Sequence, residues 1–302
     1  MPTLTVIVPA TDGPVSLAEC RAAIAAASQP AEEVLVIESP AGASPAEARN
    51  LGALRARSEL LVFVDSDVLV HEDAFARVRA AFAADPELVA VFGSYDEASG
   101  DGGVVTAFRN LLLLEVHRQC AGAATTFWAG LGAVRGDAFR AAGGFDAERY
   151  RRASIEDIDL GARLSGSGGR IELDPRILGT HLKRWSLGSM IRTDLLDRGL
   201  PWMLLALRGR RLPAAMNLRW RHRLSALAAV LVTIGAAARR PRVLAAGVAG
   251  LLALNHRFYA LLARRYGART AIAGVGLHVV HHVTSAVAAV AAVVIHLGGR
   301  SR

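Results

Sequence analysis

Short runs of β-branched residues and leucine recur along the first 180 positions, and alanine-rich stretches with polar residues at helical spacing lie between them. Residues 4–9 read as a strand ended by Pro9, residues 33–38 as a second and residues 60–64 as a third. Such short apolar blocks suit strands buried on both faces. Residues 16–28 and 45–57 have helical periodicity, and a further helix is expected around 72–84, with strands at 88–92 and 171–173. Strand–helix alternation predicts an α/β domain with a mostly parallel sheet. Ligands of such sheets gather at the carboxyl ends of the strands. The residues there are polar and acidic: Asp12 and Gly13 after the first strand, Glu38 after the second, Asp65-Ser66-Asp67 after the third. Neither a GxGxxG nor a GxxxxGK[ST] string occurs, which removes the usual dinucleotide and P-loop readings.

Beyond Lys183 the pattern changes. Residues 186–223 form a basic amphipathic stretch in which Trp202, Met203, Leu204 and Leu205 oppose Arg192, Arg198, Arg208, Arg210 and Arg211. That is the composition of a helix lying at a lipid interface. Three apolar runs follow, at 224–238, 243–254 and 271–297. Only the last is long enough to span by itself, since about 20 helical residues are needed. The first two are joined by Arg239-Arg240-Pro241-Arg242, and an arginine-rich turn on the far side of a membrane conflicts with the positive-inside rule. A re-entrant or in-plane hairpin is therefore as good an expectation as two crossings. Three parts result: an α/β domain over 1–185, basic interfacial helices over 186–223 and a hydrophobic helical membrane region over 224–302.

Charge sharpens this division. Residues 1–182 carry 16 Lys/Arg against 25 Asp/Glu, residues 183–223 carry 10 against 2, and residues 224–302 carry nine arginines and no acid. A basic segment fused to apolar runs points to anionic headgroups as partner rather than to nucleic acid. Cys20 and Cys120 form no metal-binding or disulfide pattern, and no basic leader precedes the first strand, so the globular part is expected to face the cytoplasm, associated with a membrane.

Asp65 and Asp67, at i and i+2 directly off a buried strand, can turn two carboxylates toward one site. Hard oxygen ligands of this kind hold Mg²⁺ or Mn²⁺ together with substrate phosphates. A solvated acidic turn would give the same string. The second acidic cluster, Glu156-Asp157-Ile158-Asp159, reads either as the favoured N-terminus of a helix or as the seat of a general base.

In order along the chain, the strand ending in Pro9, Glu38, Ala48-Arg49-Asn50-Leu51-Gly52, Asp65-Ser66-Asp67, Gly143-Gly144-Phe145-Asp146 and Glu156-Asp157 resemble the family 2 glycosyltransferases over residues 4–190. The resemblance implies a GT-A fold and divalent-metal-dependent, inverting transfer from a nucleotide-sugar, expected to be UDP-linked. It places Pro9, Asp12, Glu38 and Arg49 at the nucleotide, and Asp65 and Asp67 at the metal and diphosphate. Asp157 becomes the base with Glu156 beside it, and Gly144 and Phe145 shape the acceptor side, where Trp128 is a further candidate.

His181-Leu182-Lys183-Arg184-Trp185 looks like the family's QxxRW motif with His in place of Gln. His181 could then be a third metal ligand, Arg184 a diphosphate contact and Trp185 a sugar platform. Their plainer readings are a satisfied histidine and an interfacial anchor. His278 and His282 share a helical face, which suits a packed polar stripe better than a ligand site. A lipid-linked or cell-envelope glycan is the expected acceptor. The alternatives are a non-catalytic membrane adaptor with a retained sugar-nucleotide fold, kept open by Glu38 and His181, and a nucleotidyltransferase.

Overall fold

The computed structural model describes residues 1–99, 102–209 and 220–298, and divides into two compact units. The first comprises Met1–Ser99 with His117–Lys183, the second Gly100–Val116 with Arg184–Arg302.

The first unit is built on an eight-stranded mixed sheet in the order β2-β1-β3-β7-β5-β8-β4, with β6 also paired to β8. The strands are β1 Leu4–Pro9, β2 Glu33–Ile37, β3 Leu60–Val64, β4 Val68–Val70, β5 Leu88–Ser99, β6 Gly122–Ala124, β7 Leu131–Arg135 and β8 Arg170–His181. β1, β2, β3, β5 and β8 share one direction, while β4, β6 and β7 run against it. Every residue of β1 and β3 is buried, which is why both read as unbroken apolar runs. β2, at the edge, leaves Val34 exposed.

Helices α1 Leu17–Ala25, α2 Pro45–Arg55, α3 Ala74–Ala84, α5 Gly136–Ala141 and α6 Glu156–Gly166 belong to this unit. α2 begins where Ser44 Oγ accepts from Glu47 N, with Pro45 in its first turn. It packs tightly on β1, because a Cβ on Gly52 would fall 2.4 Å from Ile7 Cγ2.

β5 and β8 run well past the short strands expected at 88–92 and 171–173. Their backbones stay paired across register shifts between Phe92 and Ser94 and between Tyr95 and Ser99. The shift between Phe92 and Ser94 accommodates Pro175, which cannot donate to a ladder. Apolarity ends early in both strands, but the hydrogen bonding continues.

The second unit begins with most of α4 (Gly103–Gln119) and resumes after Lys183. α7 (Leu187–Arg192) opens on a reciprocal Ser186–Ser189 capping box and runs into a π-helical turn, Thr193–Asp197, before α8 (Gly199–Arg208). Arg210 and Arg211 lie outside the described residues. α9 (Trp220–Ala237) and α10 (Pro241–Gly298) form a hairpin whose turn places Arg239 at φ 54°. Small residues let these helices meet: a Cβ on Gly235 would lie 2.4 Å from Leu244 N, and one on Gly247 2.7 Å from Val232 N. α10 is interrupted by non-helical backbone at Asn255 and Gly267. Among the described residues it is the one helix long and apolar enough, by length and composition, to cross a membrane. Val287, Val290, Val293, Val294 and Leu297 are exposed near its end.

Inside this unit Asp194 is buried between Arg109 Nη1, 2.7 Å from Oδ1, and His281 Nδ1, 2.7 Å from Oδ2. Burial alone would raise the carboxyl's pKa, but His281 and then Arg109 outweigh it and hold it below the ordinary carboxylate value. The folded-state value is thus the depressed one. Its stabilising contribution is present above the unfolded value of about 3.9 and is lost as pH falls through the folded one. Asp194→Ala should cost ~3–5 kcal/mol by removing one partner of a buried pair. Thermal unfolding of the detergent-solubilised variant against wild type at neutral pH reads this directly, and the gap between the two should narrow in acid.

Candidate active site

The segment between β3 and β4 is fastened on every side. Asp65 N donates to Gly130 O at 3.0 Å, Val68 N to Asp65 O at 2.9 Å, Ser16 Oγ to Ser66 O at 2.9 Å and Leu182 N to Asp67 O at 2.8 Å. Two carboxylates are thereby presented at the carboxyl end of β3. Their side chains keep 32% and 30% exposure, so each can still meet a ligand.

Arg49, on α2, lies beneath them. Its Nη2 donates to Asp65 Oδ1 at 2.6 Å and its Nη1 to Glu156 Oε1 at 2.9 Å, with the Phe145 ring 5.5 Å from the guanidinium carbon. Burial works against the charge on Arg49, but Asp65, Glu156 and Asp157 overcome it and push its pKa above the ordinary guanidinium value. Asp65 is pushed up, first by burial and then by Asp67, while Arg49 opposes the rise. Asp67 is held low despite burial, chiefly by its hydrogen bond with His181 and then by the charges of His181 and Lys183.

His181 closes β8, pairing with Val68 across the sheet, and its Nε2 stands 3.5 Å from Asp67 Oδ2. Tyr95 lies flat on the imidazole, with centroids 4.1 Å apart and planes at 10°. Trp128 meets Tyr95 edge-on at 4.8 Å and His117 at 5.3 Å. Trp128 and Phe145 are therefore buried supports, at 6% and 2% exposure, and offer no open platform for an acceptor sugar. Gly144, at φ 68°, takes a left-handed turn that brings Phe145 back against Asn50, whose side chain bonds both its N–H and its carbonyl.

The second acidic cluster forms the first turn of α6. Both oxygens of Glu156 are engaged, Oε1 by Arg49 and Oε2 by Ser154 N at 2.9 Å. Asp157 is aimed by backbone: Oδ1 accepts from Ile158 N at 2.8 Å and Oδ2 from Ala129 N at 3.3 Å. Asp159 turns away to Arg163 and Arg149. α6 can approach this loop because residue 161 is glycine; a Cβ there would lie 2.1 Å from Phe127 N.

Pro9 is buried at the end of β1, and Asp12 and Glu38 are exposed beyond β1 and β2. Their loops are stitched together by Thr11, whose Oγ1 donates to Ala43 O and whose carbonyl accepts from Gly42 N. Arg184 and Trp185 belong to the second unit, where Trp185 N donates to Thr106 Oγ1 at 2.8 Å and Arg109 covers the indole at 4.7 Å. Sequence reasoning missed Tyr95, which follows an apolar run without a periodic signal of its own.

Among the described residues no three His, Cys, Asp or Glu side chains are gathered to hold a metal ion. The donors available to a cation are the carboxylates of Asp65 and Asp67 and the imidazole beside Asp67. Arg49 engages Asp65 through Oδ1. A hard divalent ion that keeps water and phosphate oxygens in its shell suits so sparse a protein set.

Removing the cation under this site should be severe. Arg49→Met leaves the charges of Asp65 and Glu156 facing each other with no counterion, at a cost of ~3–5 kcal/mol. Chemical denaturation measures the loss, and Arg49→Met combined with Glu156→Gln should recover part of it.

Residues 5–139 match the family model described as Glycosyl transferase family 2. No curated protein matches the chain. Among solved structures, the mannosyltransferase PcManGT from Pyrobaculum calidifontis, in complex with GDP-Man and Mn²⁺, aligns with a TM-score of 0.56 and 19% identity. That alignment covers 96% of this chain and 87% of the other. GalNAc-T7 with UDP, GalNAc and Mn²⁺ aligns with a TM-score of 0.50 and 12% identity, over 68% of this chain and 48% of the other. At these identities the likeness is one of fold.

Proposed function

We propose that this chain, whose residues 5–139 match the family model described as Glycosyl transferase family 2, moves a sugar from a nucleoside-diphosphate sugar to an acceptor hydroxyl at a membrane surface, in a single displacement with inversion. The observation that carries the reading is the buried bridge from Arg49 to both Asp65 and Glu156. It draws the acid pair after β3 and the acidic first turn of α6, far apart in sequence, into one site.

Each residue then has a task its surroundings suit. Asp157, aimed by two backbone N–H groups, takes the proton of the acceptor hydroxyl as that oxygen attacks the anomeric carbon. Glu156 has no open oxygen and positions Arg49 instead. Pro9, Asp12 and Glu38 edge the nucleoside side, and Asp65 and Asp67 face the diphosphate. Both structures of similar fold contain Mn²⁺, and an ion held by the carboxylates of Asp65 and Asp67, with His181 beside Asp67, would supply positive charge opposite the departing diphosphate.

Membrane contact is supported by the second unit. Nine arginines and no acid over residues 224–302 suit anionic headgroups, and the apolar α10 suits acyl chains. A lipid-linked or envelope glycan acceptor follows from placing the chemistry at that surface.

Asp157→Asn should lower transfer by about 10²–10⁴-fold while calorimetry still records nucleotide binding; undiminished transfer removes Asp157 from the role of base. UDP and GDP titrations with and without Mn²⁺ should show affinity that depends on the metal, whereas a non-catalytic adaptor would give the same isotherm in both.

Gly161→Ala forces α6 off the Thr126–Phe127 backbone and displaces Asp157 from Ala129. A loss on the order of 100-fold in turnover is expected for a shift of about 1 Å, with donor KM little changed.

A further inference from the structure

The donor site rests on β4, a strand of three residues at the end of the sheet order, paired to β8 alone. Such a strand is poorly fixed by its own ladder. Asp67 immediately precedes β4 and His181 sits opposite Val68, so any slip or fraying of β4 against β8 would part Asp67 from His181.

The far end of this strand is gripped by a residue with no part in the chemistry described above. Asp96, on β5, has Oδ2 2.9 Å from His71 Nε2, and the same oxygen accepts a hydrogen bond from Thr180 Oγ1. His71 is the first residue after β4, and Thr180 is the neighbour of His181 on β8. The other carboxylate oxygen accepts from Ala98 N at 2.9 Å. One side chain on a third strand therefore ties together the two strands that carry Asp67 and His181.

The backbone supports the same arrangement. Asp96 lies within the register shift where β5 pairs with β8 between Tyr95 and Ser99. Bulges of this kind re-aim side chains and are common beside active sites. Here consecutive residues point to opposite faces: Tyr95 stacks on His181, and Asp96 reaches Thr180 and His71. The imidazole is thus fixed in plane by Tyr95, and its strand is fixed in register by Asp96.

We infer that Asp96 is a positioning residue for the donor site, clamping β4 and β8 through His71 and Thr180 so that Asp67 and His181 stay together for a divalent cation and a nucleoside diphosphate. The inference rests on the glycosyltransferase reading and adds to it a residue remote from the reacting atoms.

The experiment compares Asp96→Leu, Asp96→Asn and, as control, Asp174→Asn, which removes the ion pair with Arg176 on the same strand β8. Free Mn²⁺ is followed by electron paramagnetic resonance during titration with UDP and with GDP, and donor KM and kcat are measured in parallel. Asp96→Leu should weaken ternary Mn²⁺ binding at least tenfold and raise donor KM more than it lowers kcat. Asp96→Asn, whose amide oxygen can still accept from Thr180, should recover most of the loss. Asp174→Asn should stay within twofold of wild type in Mn²⁺ binding even where its melting temperature falls as far.

Mn²⁺ binding by Asp96→Leu equal to wild type overturns the clamp. Should that variant fail to fold, Thr180→Val and His71→Ala each remove one partner, and wild-type binding in both overturns it equally. If wild type itself binds no Mn²⁺ with either nucleotide, the donor-site reading falls first and the clamp with it.

Discussion

A guanidinium sealed between two carboxylates is the constraint on which the first unit depends. Arg49 cannot stay buried as a cation without Asp65 and Glu156, and those two acids cannot sit together without Arg49. α2, the end of β3 and the start of α6 are thus fixed by a single side chain. The geometry that aims Asp157 at Ala129 N is set by the same packing, since Glu156 precedes it on one turn and Gly161 lets that helix close.

How much of this could be read beforehand follows from the range of each interaction. β1 and β3 were legible to the residue because their cores are continuous apolar runs. β4, β6 and β7 were not, being three to five residues long, with β6 and β7 also rich in glycine and alanine. Asp65 and Asp67 stood out because strand order alone puts them at the ligand edge. Glu156 could be noticed as an acid but not as the partner of Arg49, because nothing local marks a pair 107 positions apart. Trp128 and Phe145 looked like candidate contacts, and only the packing around them shows that they are supports. In α10 the two interruptions fall between the apolar runs read from the sequence, at 243–254 and 271–297, so even there the pattern had left room for them.

The second unit is organised around a different kind of interior. Phe108, Phe258, Tyr259 and His278 make a ring cluster with centroids between 5.4 and 5.7 Å apart. Beside it the pair of Arg109 and His281 on Asp194 adds a charged network, and His278 Nδ1 meets the Tyr259 hydroxyl at 2.8 Å. His278 and His281 therefore have protein partners, and His282 stacks on His278 with ring centroids 4.5 Å apart.

The link between His281 and Asp194 also limits how deeply the end of the chain can enter a bilayer. Around His281 the last helix is committed to protein, through a carboxylate and a guanidinium that hydrocarbon would not accept. Ile272 is exposed before that point, and past it the outward-facing apolar side chains run from Val287 to Leu297, a length of roughly 15 Å at 1.5 Å per residue. That is about half of the ~30 Å hydrocarbon layer. Asp194 and Arg109 thereby interrupt the helix whose length and composition would suit a crossing, leaving beyond His281 an apolar stretch too short to make one by itself.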